Sequence, residues 1–257
     1  MLPLSQFRSS FAAGGLLLAL ALPACQRAAY VPTARLTPAT SQPVSQILPD
    51  DPAAAALIKP YREQVAGQMA EVLGTAPLPL TKGPGESPLV NFVGDLQRLE
   101  AGRALGQTID LGLVTTGAVR APLPAGPITL ENVFELMPFE NDLVVMELPA
   151  ENLRQLFVFA AQKKLAISGA SYTVGADGQP TDIRLAGRPF DPAAPRRYTL
   201  ATSDYLAGGG DNLDAFRGLP FRTTGLKLRN VIADHIRQLT KAGRPVEARV
   251  EGRVKIQ

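Results

Sequence analysis

Hydrophobic residues recur along this chain with both the helical and the strand period. Apolar or alternating runs of strand length predict strands at residues 111–114, 143–148, 167–174, 183–185 and 246–256, and a further strand that begins at Tyr198. Apolar residues spaced three or four apart predict helices that begin at Asp51, Thr129, Ala150 and Leu226. In the first of these helices Pro60 should introduce a kink or a restart, and the helical period continues to Val72. Predicted helices and strands therefore alternate through the second half of the chain.

The first residues have the pattern of an export signal. One basic residue, Arg8, precedes an apolar segment at residues 11–22 that is too short to span a membrane as a helix. The Leu-Pro-Ala-Cys run at residues 22–25 resembles a bacterial lipobox, whose cysteine is lipidated after cleavage. We therefore expect residues 1–24 to be a lipoprotein signal peptide and Cys25 to carry the lipid. Cys25 is also the only cysteine of the chain, which excludes an internal disulfide.

Residues 25–50 are rich in Pro, Thr, Ser and Ala and show almost no apolar periodicity. Such a composition is typical of a flexible tether. The folded domain should then span residues 51–257, a length that can bury a full core. The expected location is the cell envelope, with the domain anchored by its lipid to a bacterial membrane and facing the periplasm or the exterior.

Charge gives little indication of a polyanionic partner. Without residues 1–24, which contain only Arg8 among the charged residues, 25 Lys and Arg stand against 23 Asp and Glu, a net charge of +2. No run of basic residues interleaved with aromatics is present. Nucleic acid is therefore not an expected partner.

Chemistry-bearing side chains concentrate where predicted elements end. Arg120 follows a strand and a glycine turn, and residues 138–141 (Pro-Phe-Glu-Asn) follow the helix that Thr129 can cap. The strand from Tyr198 runs into Tyr205, three glycines and Asp211. Each feature alone has an ordinary interpretation as core packing, a solvated charge or a turn.

Together these stretches resemble the C-terminal, substrate-binding domain of the 5'-nucleotidase and UDP-sugar hydrolase family. The family patterns N-G-G-x-R, G-x-[IV]-[ST] and P-F-x-N correspond to residues 116–120, 126–129 and 138–141. The most specific match is Y-x-[VLM]-A-[TS]-x-x-[FY]-[LN]-A-x-G-G-D, which corresponds to residues 198–211. The family's E-x-x-L-G-N-L-[IV] pattern corresponds to residues 86–93, where Val90 replaces the glycine. The resemblance implies an α+β fold, a single domain of mixed β-sheets flanked by helices.

The resemblance also implies a ligand site. It predicts a nucleobase sandwiched between Phe139 and Tyr205, a mode of binding that tolerates many bases. Two further implied residues, Asn141 and Gly169, would lie near the base edge, although a glycine at a strand bulge is an equally good interpretation of Gly169. The last two are Asp211, which would accept hydrogen bonds from the ribose hydroxyls, and Arg120, which would face the ribose or the phosphate.

Whether the chain is an enzyme depends on its histidines. The family's chemistry resides in an N-terminal metallophosphoesterase domain, where D-x-H, N-H-[DE] and H-x-H motifs hold two metals. This sequence contains none of those motifs and a single histidine, His235, which we expect to be a structural or surface residue and not a catalytic one. We therefore expect no catalytic residues and no cofactor in this chain, and divalent metals only in a partner subunit.

Three hypotheses remain. The first is a nucleoside- or nucleotide-binding lipoprotein that forms the substrate-recognition half of a split 5'-nucleotidase, with a separate metallophosphoesterase as its partner. The second is a non-catalytic nucleoside-binding lipoprotein that acts in scavenging. The third is a structural envelope protein with a vestigial pocket.

Overall fold

The computed structural model describes residues 49–257. The predicted signal peptide, Cys25 and nearly all of the tether lie outside the described residues. The described helices are α1 (Pro52–Met69), α2 (Pro88–Leu105), α3 (Leu130–Leu136), α4 (Ala150–Lys163), α5 (Asp204–Ala207) and α6 (Leu228–Lys241), and two 3-10 turns follow α5 at Gly210–Asn212 and Asp214–Phe216. The strands are β1 (Val72–Ala76), β2 (Leu111–Gly112), β3 (Gly126–Thr129), β4 (Asp142–Pro149), β5 (Ala170–Val174), β6 (Pro180–Leu185), β7 (Arg188–Pro189), β8 (Arg197–Ser203), β9 (Phe221–Lys227) and β10 (Val254–Ile256).

A four-stranded mixed sheet of order β2-β8-β4-β9 forms the centre of the domain. Strand β2 runs parallel to β8, whereas β4 runs antiparallel to both β8 and β9. Leu143 of β4 pairs with Ser203 of β8, so β4 begins where β8 ends. The loops that follow β2 and β8 and the loop that precedes β4 therefore meet at one edge of the sheet.

Both faces of the sheet are buried along the first half of β4, which explains the apolar run at residues 143–146. Leu143 and Val145 pack into a cluster with residues of α2 and α6, while Val144 and Met146 pack into a second cluster with residues of α4. Successive strand residues point to opposite faces, so a strand covered on both sides needs an apolar residue at every position. The predicted α+β fold of mixed sheets flanked by helices is confirmed.

Two smaller sheets complete the domain. Strands β10, β5, β6 and β7 form a four-stranded sheet in which β10 and β5 are parallel, and β1 pairs antiparallel with β3. Leu111 of the central sheet packs in the same apolar cluster as Tyr172 of β5.

The helix cap predicted at Thr129 is present, and α2 has a cap that was not predicted from the sequence. The Thr129 hydroxyl accepts a hydrogen bond from Asn132 N, while the Asn132 side chain accepts one from Thr129 N, which completes a capping box for α3. Ser87 caps α2 through its hydroxyl, which accepts a hydrogen bond from Val90 N, and Pro88 lies in the first turn. These caps fix the entry of two helices whose neighbouring loops carry the motif residues.

Two local predictions are wrong, and of the kink or restart expected at Pro60 the restart does not occur. Helix α1 runs through Pro60 without a break and ends at Met69, and Val72 starts strand β1 instead of extending the helical period. Only Val254–Ile256 forms a strand within the stretch at 246–256 that was expected to be one. At Glu251 and Arg253 a side chain, and not a neighbouring strand, accepts the hydrogen bonds of the backbone N–H groups.

That side chain is Glu86, the acid of the E-x-x-L-x-N pattern. One of its oxygens accepts hydrogen bonds from Asn91 Nδ2 at 2.8 Å and Glu251 N at 2.7 Å, and the other accepts one from Arg253 N at 2.7 Å. The Arg253 guanidinium in turn forms a bidentate pair with Asp95 at 2.9 and 2.7 Å. This network holds the C-terminal segment on α2.

Candidate functional site

Three loops converge at the edge of the central sheet where β4 begins and β8 ends. They are residues 115–120 after β2, residues 138–141 before β4, and residues 204–212 after β8. Asp204 joins two of them, because its Oδ1 accepts hydrogen bonds from Asp142 N at 3.2 Å and Tyr205 N at 2.8 Å. The loops that carry Arg120, Phe139 and Tyr205 therefore belong to one region of the surface.

The loop that carries Phe139 is held through its backbone. Arg229 donates to the Phe139 carbonyl oxygen at 3.5 Å and to the Glu140 carboxylate, and its guanidinium lies 4.1 Å from the ring centre of Phe134. Lys227 Nζ donates to the Glu140 carbonyl oxygen at 3.0 Å. With its backbone fixed in this way, the Phe139 side chain remains 39% exposed.

Lys227 also forms an ion pair with Asp142, with 2.6 Å between Nζ and Oδ1. The hydrogen bond to Asp142 raises the pKa of the Lys227 ammonium above its usual value, so this cation stays charged at neutral pH. The Asn141 carbonyl oxygen accepts a hydrogen bond from Leu228 N at 2.9 Å. Within residues 49–257 the Asn141 side chain forms no hydrogen bond, which leaves its amide free for a ligand.

Tyr205 lies in the short helix α5, which Ser203 caps through a hydrogen bond from Leu206 N. Its side chain is 53% exposed. A Cβ added at Gly210 would lie 2.5 Å from Cε1 of the Tyr205 ring, so this glycine leaves the space that the ring occupies. Phe139 and Tyr205 make no ring contact with each other in the part of the chain that the structure describes.

The turn after α5 has unusual backbone geometry. Gly209 has a φ of 89°, and the two residues that follow Gly210 also take positive values, 54° for Asp211 and 64° for Asn212. Such values cost a non-glycine residue about 1–3 kcal/mol. They bring the Asp211 carboxylate next to Tyr205, whose hydroxyl donates to Asp211 Oδ1 at 3.1 Å.

The loop after β2 brings positive charge to the same place. Arg120 is exposed; its backbone N–H donates to the Leu136 carbonyl oxygen at 2.8 Å and its guanidinium to the Gly117 carbonyl oxygen at 3.4 Å. A Cβ added at Gly117 would lie 3.9 Å from Asp211 Oδ2, which shows that this loop borders the carboxylate. Lys82, also exposed, donates to the Val119 carbonyl oxygen at 3.2 Å and supplies a second cation beside the loop.

Gly169 lies away from the three converging loops. It has a φ of 84°, and an added Cβ would collide with the carbonyl oxygen of Asp110 and approach Arg98. Asp110 directly precedes β2, whereas Gly117 follows that strand. The structure therefore brings Arg120, Phe139, Asn141, Tyr205 and Asp211 to one edge of the sheet but does not bring Gly169 there. The close approach of two backbones explains this glycine.

Sequence reasoning missed three residues that support the site: Asp204, Lys227 and Arg229. Asp204 could have been suspected, because it opens a helix immediately before a candidate residue. Lys227 and Arg229 give no local signal, since they act on a loop that lies 87 to 90 residues earlier in the chain.

His235 of α6 packs against α2. Its Nδ1 lies 2.9 Å from Glu100 Oε1, and its ring is 5.9 Å from that of Phe92. Among residues 49–257, no group of three or more His, Cys, Asp or Glu side chains could hold a metal ion. These residues therefore do not fit a two-metal centre, and no catalytic step through a metal is assigned to them.

The family described as 5'-nucleotidase, C-terminal domain, matches residues 65–218. The chain belongs to this family. The match covers more than half of the 257 residues and includes all the converging loops.

Relatives of known name are considerably longer than this chain. It is 27% identical to endonuclease YhcR of Bacillus subtilis (strain 168) over 82% of its own length and 17% of the relative's. It is 26% identical to protein UshA of Yersinia enterocolitica over 79% of its length and 37% of the relative's. The 5'-nucleotidase precursor of Thermus thermophilus has a similar structure, with a TM-score of 0.68 and 27% identity, covering 81% of this chain and 44% of that one. The chain therefore spans less than half of each of these proteins.

Proposed function

We propose that this chain is a nucleoside- or nucleotide-binding lipoprotein and the substrate-recognition part of a two-component 5'-nucleotidase. One observation carries the proposal: the loops bearing Arg120, Phe139, Tyr205 and Asp211 meet at one edge of the central sheet in a member of the 5'-nucleotidase C-terminal domain family. The same loops hold an aromatic pair, a carboxylate and a cation within one region.

The chemistry of these groups suits the three parts of a nucleotide. Exposed aromatic faces stack on a base at about 1–3 kcal/mol per base, and they accept any flat heterocycle. The Asp211 carboxylate only accepts hydrogen bonds, so it is suited to sugar hydroxyls. Arg120 and Lys82 carry the positive charge that an anionic phosphate would seek. In this proposal the base lies between Phe139 and Tyr205, with Asn141 at its edge.

In the two-component scheme the domain contributes binding and orientation, while a separate metallophosphoesterase cleaves the phosphate ester. Holding the base and the ribose fixes the direction in which the ester points, which converts binding energy into correct positioning of the scissile bond. The lipid anchor predicted at Cys25 and the tether that follows would keep the domain at a membrane surface in the cell envelope. Within residues 49–257 no helix is long and apolar enough to cross a membrane.

Calorimetric titration of the full chain with adenosine, AMP and UDP-glucose tests the binding proposal. We expect saturable binding of at least one of the three, and Phe139→Ala and Tyr205→Ala should each weaken it while the variants stay folded. A chain that binds none of them, and whose melting temperature no ligand raises, would instead be a structural envelope protein.

The partner proposal has its own experiment. AMP hydrolysis is measured for the chain alone, for a metallophosphoesterase from the same cell alone, and for the mixture. We expect the mixture to exceed the sum of the separate rates, and Tyr205→Ala to abolish the excess. Tight adenosine binding without any gain from a partner would favour a scavenging protein.

A further inference from the structure

Tyr205 and Asp211 form a reciprocal pair. The Tyr205 hydroxyl donates its proton to Asp211 Oδ1 at 3.1 Å and accepts a hydrogen bond from the Asp211 backbone N–H at 3.2 Å. A phenol has a single O–H to donate, so the Tyr205 hydroxyl cannot donate to a ligand while it donates to Asp211. The pair closes the turn at Gly210, against which the ring of Tyr205 lies.

This pairing makes the two oxygens of Asp211 unequal. Oδ1 already accepts a hydrogen bond, and the phenol that supplies it occupies the space on that side. Oδ2 faces Gly117, an exposed residue with no side chain, and no described residue donates a hydrogen bond to it. A carboxylate oxygen can accept two hydrogen bonds, so a ligand that enters between the loops meets Oδ2 without a competitor but must share Oδ1 with the phenol.

Recognition of a ribose diol by a carboxylate works best when each oxygen receives one hydroxyl. Loss of a hydroxyl that bonds to a charged group costs about ten- to a hundredfold in affinity. A site in which a phenol competes for one of the two oxygens can impose that cost in full for one sugar hydroxyl and only in part for the other.

We propose that Tyr205 is a specificity-determining residue that makes the site permissive toward deoxyribose. Its hydroxyl competes for Oδ1 of Asp211, so the site binds one sugar hydroxyl firmly through Oδ2, binds the other weakly, and accepts nucleosides that lack the weakly bound one. This inference rests on the proposed function, since it concerns how the same site selects its sugar.

The test compares adenosine, 2'-deoxyadenosine and 3'-deoxyadenosine, titrated into the full chain and into Tyr205→Phe. In the unmodified chain we expect one deoxynucleoside to bind within about threefold of adenosine and the other to bind about tenfold more weakly or worse. Tyr205→Phe keeps an aromatic ring for stacking and frees Oδ1. It should bind adenosine more tightly and discriminate against both deoxynucleosides.

Gly210→Ala provides a second variant. Its added methyl group would push the Tyr205 ring away from its present position, because the new Cβ would lie 2.5 to 2.7 Å from three ring atoms. The hydroxyl should then leave Asp211, and the ratio of adenosine to deoxynucleoside affinity should change in the same direction as in Tyr205→Phe, even if all affinities fall.

The inference is overturned if the unmodified chain binds each deoxynucleoside about tenfold more weakly than adenosine. It is also overturned if both variants keep the affinity ratios of the unmodified chain. If the chain and both variants, all folded by circular dichroism, bind none of the three nucleosides, the proposed function itself fails and the inference fails with it. Failure of the inference alone can be distinguished from failure of the proposed function, because only the former leaves measurable binding of adenosine.

Discussion

The cluster around Glu86 and the site around Asp211 differ in where their hydrogen bonds go. The Glu86 carboxylate accepts from the backbone at Glu251 and Arg253 and from the side chain of Asn91, so both of its oxygens are used by the chain itself. Burial alone would lower the pKa of the Arg253 guanidinium, but its hydrogen bonds with Asp95 and Glu251 leave that pKa above its usual value.

At the other cluster, groups of the same chemical kind face solvent. Asp211 Oδ2 accepts no hydrogen bond from any residue in the described range, Arg120 reaches only a carbonyl oxygen of its own loop at 3.4 Å, and Phe139 and Tyr205 are exposed. Polar groups that satisfy one another hold a fold together, whereas polar groups left facing an opening can bind something else. The comparison therefore assigns Glu86 to the scaffold and Asp211 to the site, although both residues belong to the family motifs.

The largest expected effect concerns the scaffold cluster. Glu86→Ala should lower the free energy of unfolding by about 3 kcal/mol, since hydrogen bonds to a charged group contribute about 1.5–3 kcal/mol each and this carboxylate is only half-buried. Urea denaturation measures the change. Glu247→Ala, which removes an exposed glutamate from the same C-terminal segment, serves as the control and should change stability by less than about 0.5 kcal/mol.

Equal destabilisation by the two substitutions would mean that Glu86 is not the anchor of the segment. A loss of adenosine affinity in folded Glu86→Ala would erase the distinction between the two clusters, because the scaffold would then be acting on the site directly.

The next effect concerns the site, where we expect a substitution to lower ligand affinity and leave stability almost unchanged. Phe139→Ala should weaken adenosine binding about 5- to 150-fold, the equivalent of about 1–3 kcal/mol of stacking, and leave the melting temperature nearly unchanged because the ring is exposed. Phe221→Ala is a matched control: that ring is also exposed but lies at the opposite end of the central sheet, where Phe221 pairs with Met146. Calorimetric titration and thermal unfolding of both variants give the comparison.

A Phe139→Ala variant that unfolds early would place this ring in the scaffold. A similar loss of affinity in Phe221→Ala would show that the assay reports a general change in the domain and not a contact of the site.

Much of this arrangement follows from local sequence. The apolar run that became β4, the Thr129 cap of α3 and the glycine-rich turn after β8 are short-range signals, and each places a motif residue at the end of an element. That Arg120, Phe139 and Tyr205 lie in one site was predicted only through the family resemblance, because the order of the strands in the sheet is not a local signal.

The remaining features depend on contacts between distant parts of the chain. Residues 246–256 alternate like a strand, but the Glu86 carboxylate, 165 to 167 residues earlier, takes the backbone hydrogen bonds at Glu251 and Arg253. Lys227 and Arg229 hold the Phe139 loop across a similarly long-range contact. Periodicity and capping rules carry no information on such pairings, and therefore the supporting residues of the site were missed.

A smaller effect is expected from Gly117→Ala, which alters the opening of the site without touching its groups. The added Cβ would make ordinary contacts at 3.9 Å with Asp211 Oδ2 and Thr115 Oγ1, so stability should change by less than about 0.5 kcal/mol. The methyl group would nevertheless stand beside the free oxygen of Asp211 and should lower adenosine affinity several-fold by calorimetry. Gly67→Ala, in α1 with no atom within 4 Å of the new Cβ, is the control.

Unchanged adenosine affinity in Gly117→Ala would show that the sugar does not approach Asp211 from the side of this loop. The proposed use of Oδ2 would then have to be abandoned, although stacking between the aromatic residues would be unaffected.

The smallest expected effect concerns charge at the edge of the site. Arg120→Gln should weaken AMP binding about two- to fivefold and leave adenosine binding unchanged, because an exposed cation contributes only about 0.4–1 kcal/mol to an interaction with an anion in water. Salt should diminish the difference between AMP and adenosine in the unmodified chain, since exposed charges are screened. Arg188→Gln, which removes an exposed arginine from β7 in a different sheet, should affect neither ligand. If Arg120→Gln weakens adenosine and AMP equally, then Arg120 faces the sugar and not the phosphate, and the positive charge of the site must be sought at Lys82, whose ammonium contacts the same loop.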